Sequence, residues 1–201
     1  MSAIGNPGPL GLSAFALTTF VLSLYNIEVL SITNTAPVIG LAIFYGGAVQ
    51  ILAGQWEFAA GNTFGATAFT SYGGFWLSFA AIFIPGFNIL GSYDTDTIAQ
   101  LPDALGIYLT GWLIFTFILF IASFRSNVGT VALFGFLTIT FLFLALSKFV
   151  TDADTSLHLQ KAGGAFGVIT AFIAWYNAAH VLITSDSSFV DLPNPSLKRG
   201  A

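Results

Sequence analysis

Long apolar stretches alternate with short polar joints along the whole chain. A bilayer core about 30 Å thick requires roughly 20 mostly apolar residues per helix, and the sequence contains six stretches near that length. They cover residues 10–30, 37–54, 61–84, 104–124, 128–149 and 162–184. Backbone polar groups in lipid must be paired within the protein, and these lengths favour helices over the roughly ten-residue strands of a barrel. The pattern predicts an all-α membrane protein, a single domain over residues 1–201 with six transmembrane helices.

Six crossings place both chain ends on the same side of the membrane. With the N-terminus on that side, the basic residues divide three to two: Arg125, Lys198 and Arg199 against Lys148 and Lys161. Because cytoplasmic loops carry the excess of Lys and Arg, we expect both termini to be cytoplasmic and the protein to lie in a cell membrane, plasma or inner. Residues 185–201 are polar and are expected to form a short mobile tail.

Composition narrows the chemistry further. Hydrophobic residues make up 56% of the chain and charged residues 7%, against about 25% charged in soluble domains. The net charge of −4 provides no basic patch for nucleic acid. There is no cysteine, the two histidines have no carboxylate at ligand spacing, and no phosphate-binding or hydrolase motif is present. We therefore expect no metal, no cofactor and no enzymatic activity.

Two predicted helices begin with similar sequences. Gly61-Asn62-Thr63-Phe64-Gly65 opens the third helix, and Gly163-Gly164-Ala165-Phe166-Gly167 lies at the start of the sixth. If these are equivalent, the chain consists of two three-helix halves with inverted topology, an arrangement common in transporters. The alternative is that both are ordinary small-residue packing sites between helices.

Three predicted helices carry small, polar or aromatic residues on one face at helical spacing. These stripes are Phe15, Thr19, Ser23 and Asn26; Asn62, Ala66, Phe69, Tyr72 and Trp76; and Gly163, Gly167, Thr170, Ala174 and Asn177. Close helix packing explains any single stripe. Aromatic residues within two of the stripes favour a narrow pore inside the protomer, with Phe15 and Tyr72 as candidates for a hydrophobic constriction.

Charged residues lie at helix ends or in joints and not near the middle of a span. Because ionisable groups within a membrane mark ion pathways and voltage sensors, this placement favours a permeant with little net charge, or an anion bound by neutral donors. Burying a bare carboxylate is strongly unfavourable, so its passage is expected to involve protonation or partial hydration. Glu28 and Glu57, acids near membrane ends, are candidates for carrying a coupled proton.

The chain opens with the motif Asn6-Pro7-Gly8-Pro9-Leu10-Gly11-Leu12. It resembles the NPxPLGL signature of the acetate uptake transporter family, which includes the succinate–acetate permeases, with glycine at position 8 in place of the usual alanine. Further similarity lies in Phe44-Tyr45-Gly46-Gly47 with Gln50 and Gly54, then in Glu57, Gly61-Asn62-Thr63-Phe64-Gly65 and the stretch 70–76. Lys161-Ala162-Gly163-Gly164 through Ala174-Trp175-Tyr176-Asn177 resembles the family's last helix. The similarity covers most of the chain and is weakest over residues 83–103 and the fourth helix.

The resemblance implies a six-helix protomer in a homo-hexamer, with one pathway through each protomer. It also implies transport of acetate and similar monocarboxylates, by proton symport or as a channel. The constriction would be formed by Phe15, Tyr72 and Leu137, and Ala174 would influence the size of the substrate. The opening motif would be needed for transport. Leu137 and Ala174 enter only through the resemblance.

Two other functions remain open from the sequence. Hexameric six-helix urea channels have a similar architecture, so an amide or urea channel is one alternative. A membrane sensor or scaffold without flux is the other, although the short tail offers no large cytoplasmic segment for partners.

Overall fold

The computed structural model describes residues 5–198, and six long helices contain most of them. The helices are α1 (Gly8–Asn26), α2 (Pro37–Ala59), α3 (Thr63–Phe83), α4 (Leu101–Ala122), α5 (Val128–Phe149) and α6 (Ala153–Leu182). Within residues 5–198 there is no β-strand, and one isolated bridge joins Asn127 to Ser196. The predicted all-α fold is confirmed.

Local sequence explains where each helix starts. Asn62, Asn127 and Asp152 cap α3, α5 and α6, each accepting a hydrogen bond from the backbone N–H three residues later, at 3.1, 2.8 and 2.8 Å. The other three helices have a proline in the first turn, where its missing N–H does no harm: Pro9, Pro37 and Pro102. Hydrogen bonds from the side chain and backbone of Thr155 hold the pKa of the Asp152 carboxyl below its usual value.

Five of the six helices are long and apolar enough to cross a membrane, namely all except α3. Helix α3 has 21 residues, which is a spanning length, but Thr, Ser, Tyr and Gly residues lower its hydropathy. The chain is therefore a multi-pass membrane protein. The sixth span, α3, stays a prediction.

Three helix ends differ from the sequence pattern by four or more residues. Helix α2 continues to Ala59 rather than ending at residue 54. Helix α1 ends at Asn26 rather than at residue 30, because Glu28, Leu30 and Ser31 adopt left-handed φ angles of 54°, 54° and 60°. Helix α6 starts at Ala153 rather than at residue 162. Its first turns are polar, so hydropathy alone assigns them to the joint.

The helix ends define two faces of the bundle. The terminal face carries residues 5–7, 60–62, 123–127 and 183–198, and the opposite face carries residues 27–36, 84–100 and 150–152. The tail, expected to be mobile, is hydrogen-bonded as far as residue 197 to the start of α5 and the joint before it. Leu197 N–H donates to the Ser126 carbonyl at 2.9 Å, and Asn194 Oδ1 accepts from Gly129 N–H at 3.0 Å. Residues 199–201 lie outside the described residues.

Candidate functional site

Three cavities lie in series through the bundle. The terminal cavity, about 470 Å³, includes residues of the terminal face in its wall. The middle cavity is about 30 Å³, and the opposite cavity is about 280 Å³. Phe15 and Tyr72 line both the terminal and the middle cavity, whereas Asn26 and Phe75 line both the middle and the opposite cavity. The shared walls show that the three cavities adjoin one another in this order.

The middle cavity is the smallest of the three, and Phe15, Tyr72 and Leu137 are in its wall. Their side chains are 5%, 2% and 3% exposed, and the ring centroids of Phe15 and Tyr72 are 5.6 Å apart. The structure thus brings the three predicted constriction residues to the middle cavity, which has room for only one or two water molecules.

Neighbouring side chains fix the Tyr72 ring. Its hydroxyl is 2.9 Å from Thr116 Oγ1 on α4, a buried hydrogen bond. The ring also packs against Phe115 and Phe134, at centroid distances of 5.7 and 6.4 Å. The ring is therefore held on two sides and at its hydroxyl.

A carboxylate lies in the wall of the terminal cavity. Glu57, on the last turn of α2, is 4% exposed and accepts a hydrogen bond from Asn62 Nδ2 at 2.7 Å. Asn62 and Asn6 also line this cavity. Glu28, the other predicted acid, instead pairs with Lys161 at 2.8 Å on the opposite face, and it lines none of the three cavities.

The opening motif lies where α1 enters the bundle. Asn6 Oδ1 accepts a hydrogen bond from Gly8 N–H at 2.9 Å, and Pro7 immediately precedes α1. Gly11 allows close contact with α3, since a Cβ atom there would lie 2.6 Å from the Phe69 ring. Pro9 is buried and Leu10 is 36% exposed. The motif thus anchors α1 at the mouth of the terminal cavity.

Four buried polar side chains along the route have unsatisfied hydrogen-bonding groups. Within residues 5–198, the atoms without a partner are Thr19 Oγ1, Gln50 Nε2 and Oε1, Trp76 Nε1 and Asn177 Nδ2. Gln50 and Asn177 line the terminal cavity, and Thr19 and Trp76 line the middle cavity. Since buried polar groups are normally paired, this series of donors suits a polar permeant.

Gln50 was not among the residues predicted for the site. It follows a π-helical turn at Phe44–Val49 and is fully buried. The turn also brings Gly46 against α1, where a Cβ atom would lie 2.7 Å from Thr18 Oγ1. Two signals were available: the carboxamide lies within an apolar stretch, and Gln50 is among the residues that carry the family resemblance.

The sixth-helix stripe divides between the route and helix packing. Asn177 lines the terminal cavity. Thr170 and Ala174 are fully buried and line none of the three cavities, and the Thr170 hydroxyl donates to the Phe166 carbonyl at 2.8 Å. At Gly167, a Cβ atom would clash with Ser23 of α1. These positions bring α6 close to α1.

Basic side chains line two of the three cavities. Arg125 and Lys198 line the terminal cavity, and Lys148 lines the opposite one. Across residues 5–198, no group of three or more Asp, Glu or His side chains is arranged to hold a metal ion.

The sequence matches one family model over residues 1–199, that of the GPR1/FUN34/yaaH family. The chain belongs to this family. Membership confirms the resemblance indicated by the opening motif.

Two similar members of the GPR1/FUN34/yaaH family have names that refer to transport. The chain is 51% identical over 185 residues to "Ammonia transport outward protein 2" of Saccharomyces cerevisiae, covering 92% of this chain and 64% of that protein. It is 48% identical over 193 residues to "Acetate permease A" of Emericella nidulans, covering 94% of this chain and 65% of that protein. The chain thus spans less than two thirds of the length of these two relatives.

A solved structure has the same fold. The structure of the bacterial acetate channel SatP matches with a TM-score of 0.81 and 34% sequence identity, covering 96% of this chain and 99% of that chain.

Proposed function

We propose that this chain transports acetate and similar small monocarboxylates across a membrane, through one pathway in each protomer. The observation that carries the proposal is the series of three cavities divided by Phe15, Tyr72 and Leu137. The name "Acetate permease A" of a fungal relative and the bacterial acetate channel with the same fold support acetate as the substrate.

In this proposal, acetate moves along neutral donors. Thr19 and Trp76 supply a hydroxyl and an indole N–H beside the constriction, and Gln50 supplies an amide on its terminal side. Asn26, Asn62 and Asn177 line the wider segments. These donors replace part of the hydration that a carboxylate loses at the aromatic rings.

Glu57 is our candidate for a proton-linked residue. It is the acid on the wall of the terminal cavity, and Asn62 holds its carboxyl group. Proton symport requires such a group on the route, whereas a channel does not. If transport is proton-coupled, Glu57→Gln is expected to abolish accumulation while leaving downhill flux.

The arrangement in the membrane is part of the proposal. All six helices span, both termini are cytoplasmic, and the protein assembles as a homo-hexamer in a cell membrane. Helix α3 can cross the membrane despite its polar residues, because Tyr72 lines the middle cavity and does not face lipid. Exposed apolar residues on α4, such as Ile107 at 69% and Ile114 at 58%, suit contact with lipid or a neighbouring copy.

Labelled-acetate uptake into proteoliposomes, with an inward proton gradient and then a protonophore, tests this function. Accumulation above equilibrium that the protonophore abolishes indicates a proton-coupled carrier. Uptake that only equilibrates indicates a channel. Uptake no faster than in protein-free liposomes would overturn acetate transport.

A neutral permeant is the second candidate. It is favoured by the name "Ammonia transport outward protein 2" of a relative 51% identical and by the neutral donors at the middle cavity. Ammonia or urea flux that acetate does not inhibit, without acetate flux, would favour it.

A further inference from the structure

The opposite cavity has polar side chains in its wall, of which the proposed transport route uses only Asn26. Its volume is about 280 Å³, and it joins the middle cavity through Leu22, Asn26, Phe75 and Leu144. The residues with polar side chains in its wall are Asn26, Thr33, Thr35, Tyr108, Lys148 and Gln160. A permeant on the opposite face meets this cavity before the aromatic constriction.

Two lysines lie toward the opposite face, and they differ in their partners. Lys161 Nζ lies 2.8 Å from Glu28 Oε2, so an acid already neutralises it. Lys148 is half-buried on the last turn of α5, and no carboxylate within residues 5–198 lies close enough to form an ion pair with it. A partly buried cation without an anion is unfavourable unless something offsets its charge.

The backbone explains how the cation is held there. The carboxyl end of a helix carries partial negative charge, which favours a lysine in the last turn. That interaction stabilises Lys148 but does not occupy its three N–H donors on the cavity side. The lysine therefore retains capacity for an anionic ligand.

Hydrogen bonds fix other parts of the wall before any ligand binds. Tyr108 on α4 donates to the Phe75 carbonyl at 3.2 Å, and Gln160 Nε2 on α6 donates to the Asn26 carbonyl at 3.4 Å. By contrast, the side chains of Thr33 and Thr35 make no hydrogen bond within the described chain. A fixed cavity with one cation and neighbouring hydroxyl donors matches a carboxylate.

We propose that Lys148 forms an anion-capture site for small monocarboxylates in the opposite cavity, in front of the constriction. The inference rests on the proposed function and adds the residue that concentrates the anion on this side. Lys148 binds the carboxylate before the neutral donors at Thr19 and Trp76 receive it.

The chain has no cysteine, which allows a charge-restoration experiment. Lys148→Cys is reconstituted, and the concentration giving half-maximal acetate uptake is measured before and after modification. Aminoethyl methanethiosulfonate restores an ammonium group, whereas the sulfonatoethyl reagent adds a negative charge. Lys161→Cys is the matched control. Lys161 carries the same charge and lies toward the same face, but it does not line the cavity. Lys148→Gln is measured in parallel, with thermal unfolding as the check on folding.

We expect Lys148→Cys to raise the half-saturating acetate concentration about three- to tenfold, the effect of removing one partly screened charge beside an anion. Aminoethylation should restore the original value, and sulfonatoethylation should raise it further. High salt should reduce the difference in half-saturating concentration between Lys148→Cys and the wild-type protein. In Lys161→Cys, the half-saturating acetate concentration should change less than twofold with either reagent.

The results that overturn the inference are distinct from those that overturn acetate transport. The inference is overturned if both Lys148 variants keep the half-saturating concentration of the wild-type protein while the wild-type protein takes up acetate normally. Lys148 would then have a role only at the helix end. Equal effects of the two reagents would indicate steric blockage and overturn the inference as well. No uptake by the unmodified protein would overturn the proposed function together with the inference.

Discussion

The amide of Gln50 is buried at the terminal cavity without a hydrogen-bond partner within residues 5–198. Such a group costs about 1–3 kcal/mol of stability. An apolar side chain of similar size should remove that cost, so Gln50→Leu is expected to unfold at an equal or higher temperature. Acetate flux should nevertheless fall about fivefold, because one hydrogen bond to the permeant is worth about 1 kcal/mol. Thermal unfolding and proteoliposome uptake measure the two effects.

Gln55→Leu is the matched control for this prediction. Gln55 lies on the same helix, is exposed, and donates to Thr70 Oγ1 at 3.1 Å. The substitution should leave flux unchanged. A Gln50→Leu protein that is less stable and transports normally would mean that the amide has a structural role.

Tyr72 combines two separable functions in one side chain. Its ring is part of the proposed constriction, and its hydroxyl is hydrogen-bonded to Thr116 at 2.9 Å. Tyr72→Ala should increase the permeability ratio of butyrate to acetate, since the ring no longer closes the middle cavity. Tyr72→Phe keeps the ring, so the ratio should stay constant while stability falls by about 1 kcal/mol. Competition of labelled acetate with longer acids measures the ratio, and an unchanged ratio in Tyr72→Ala would remove Tyr72 from the constriction.

Some residues of the candidate site could be predicted from the sequence, and others could not. Phe15 and Thr19 lie at helical spacing on a regular helix, so periodicity places them on one face. Gln50 follows the π-helical turn at Phe44–Val49, which shifts the register that a 3.6-residue period assumes. Leu137 is one apolar residue in an apolar helix, so only family resemblance distinguishes it.

At the scale of elements, glycine contacts set the distance between α2 and α3. A Cβ atom at Gly54 would lie 2.3 Å from Thr70 Oγ1 and 2.7 Å from the Thr70 backbone nitrogen. Because the backbone cannot move aside easily, Gly54→Ala should destabilise the protein by about 1–3 kcal/mol. Gly40→Ala on the same helix is the control, since no atom lies within 4 Å of its Cβ position. Equal unfolding temperatures for the two variants would contradict this packing argument.

Helix ends show how far element prediction from sequence extends. Asn127, which caps α5, directly precedes the apolar stretch, so this helix starts where its hydropathy begins. The polar first turns of α6, from Ala153 to Lys161, carry no hydropathy signal because they lie beyond the apolar stretch. The left-handed residues after Asn26 end α1 within an apolar run. Hydropathy predicts the part of a helix that lies in lipid, while hydrogen bonding determines its full length.

At the scale of the whole molecule, the proposed constriction would divide the route into two compartments. Thr130 lines the terminal cavity and Thr33 lines the opposite cavity, whereas Thr170 is fully buried and lines none of the three cavities. Cysteine is close to threonine in size, and the chain contains no other cysteine. These three positions therefore report on the compartments with little change in packing.

In intact cells, a membrane-impermeant maleimide should label Thr33→Cys, and it should label Thr130→Cys only after permeabilisation. Thr170→Cys should remain unlabelled in both conditions, because packing against neighbouring helices excludes the reagent. If the cysteines of Thr33→Cys and Thr130→Cys were labelled from the same side, a closed constriction between the two positions would be contradicted. The reverse pattern, with Thr130 labelled from outside, would retain the two compartments and reverse the proposed orientation. Labelling of Thr170 would place the sixth-helix stripe on the route, because reaction requires access from water.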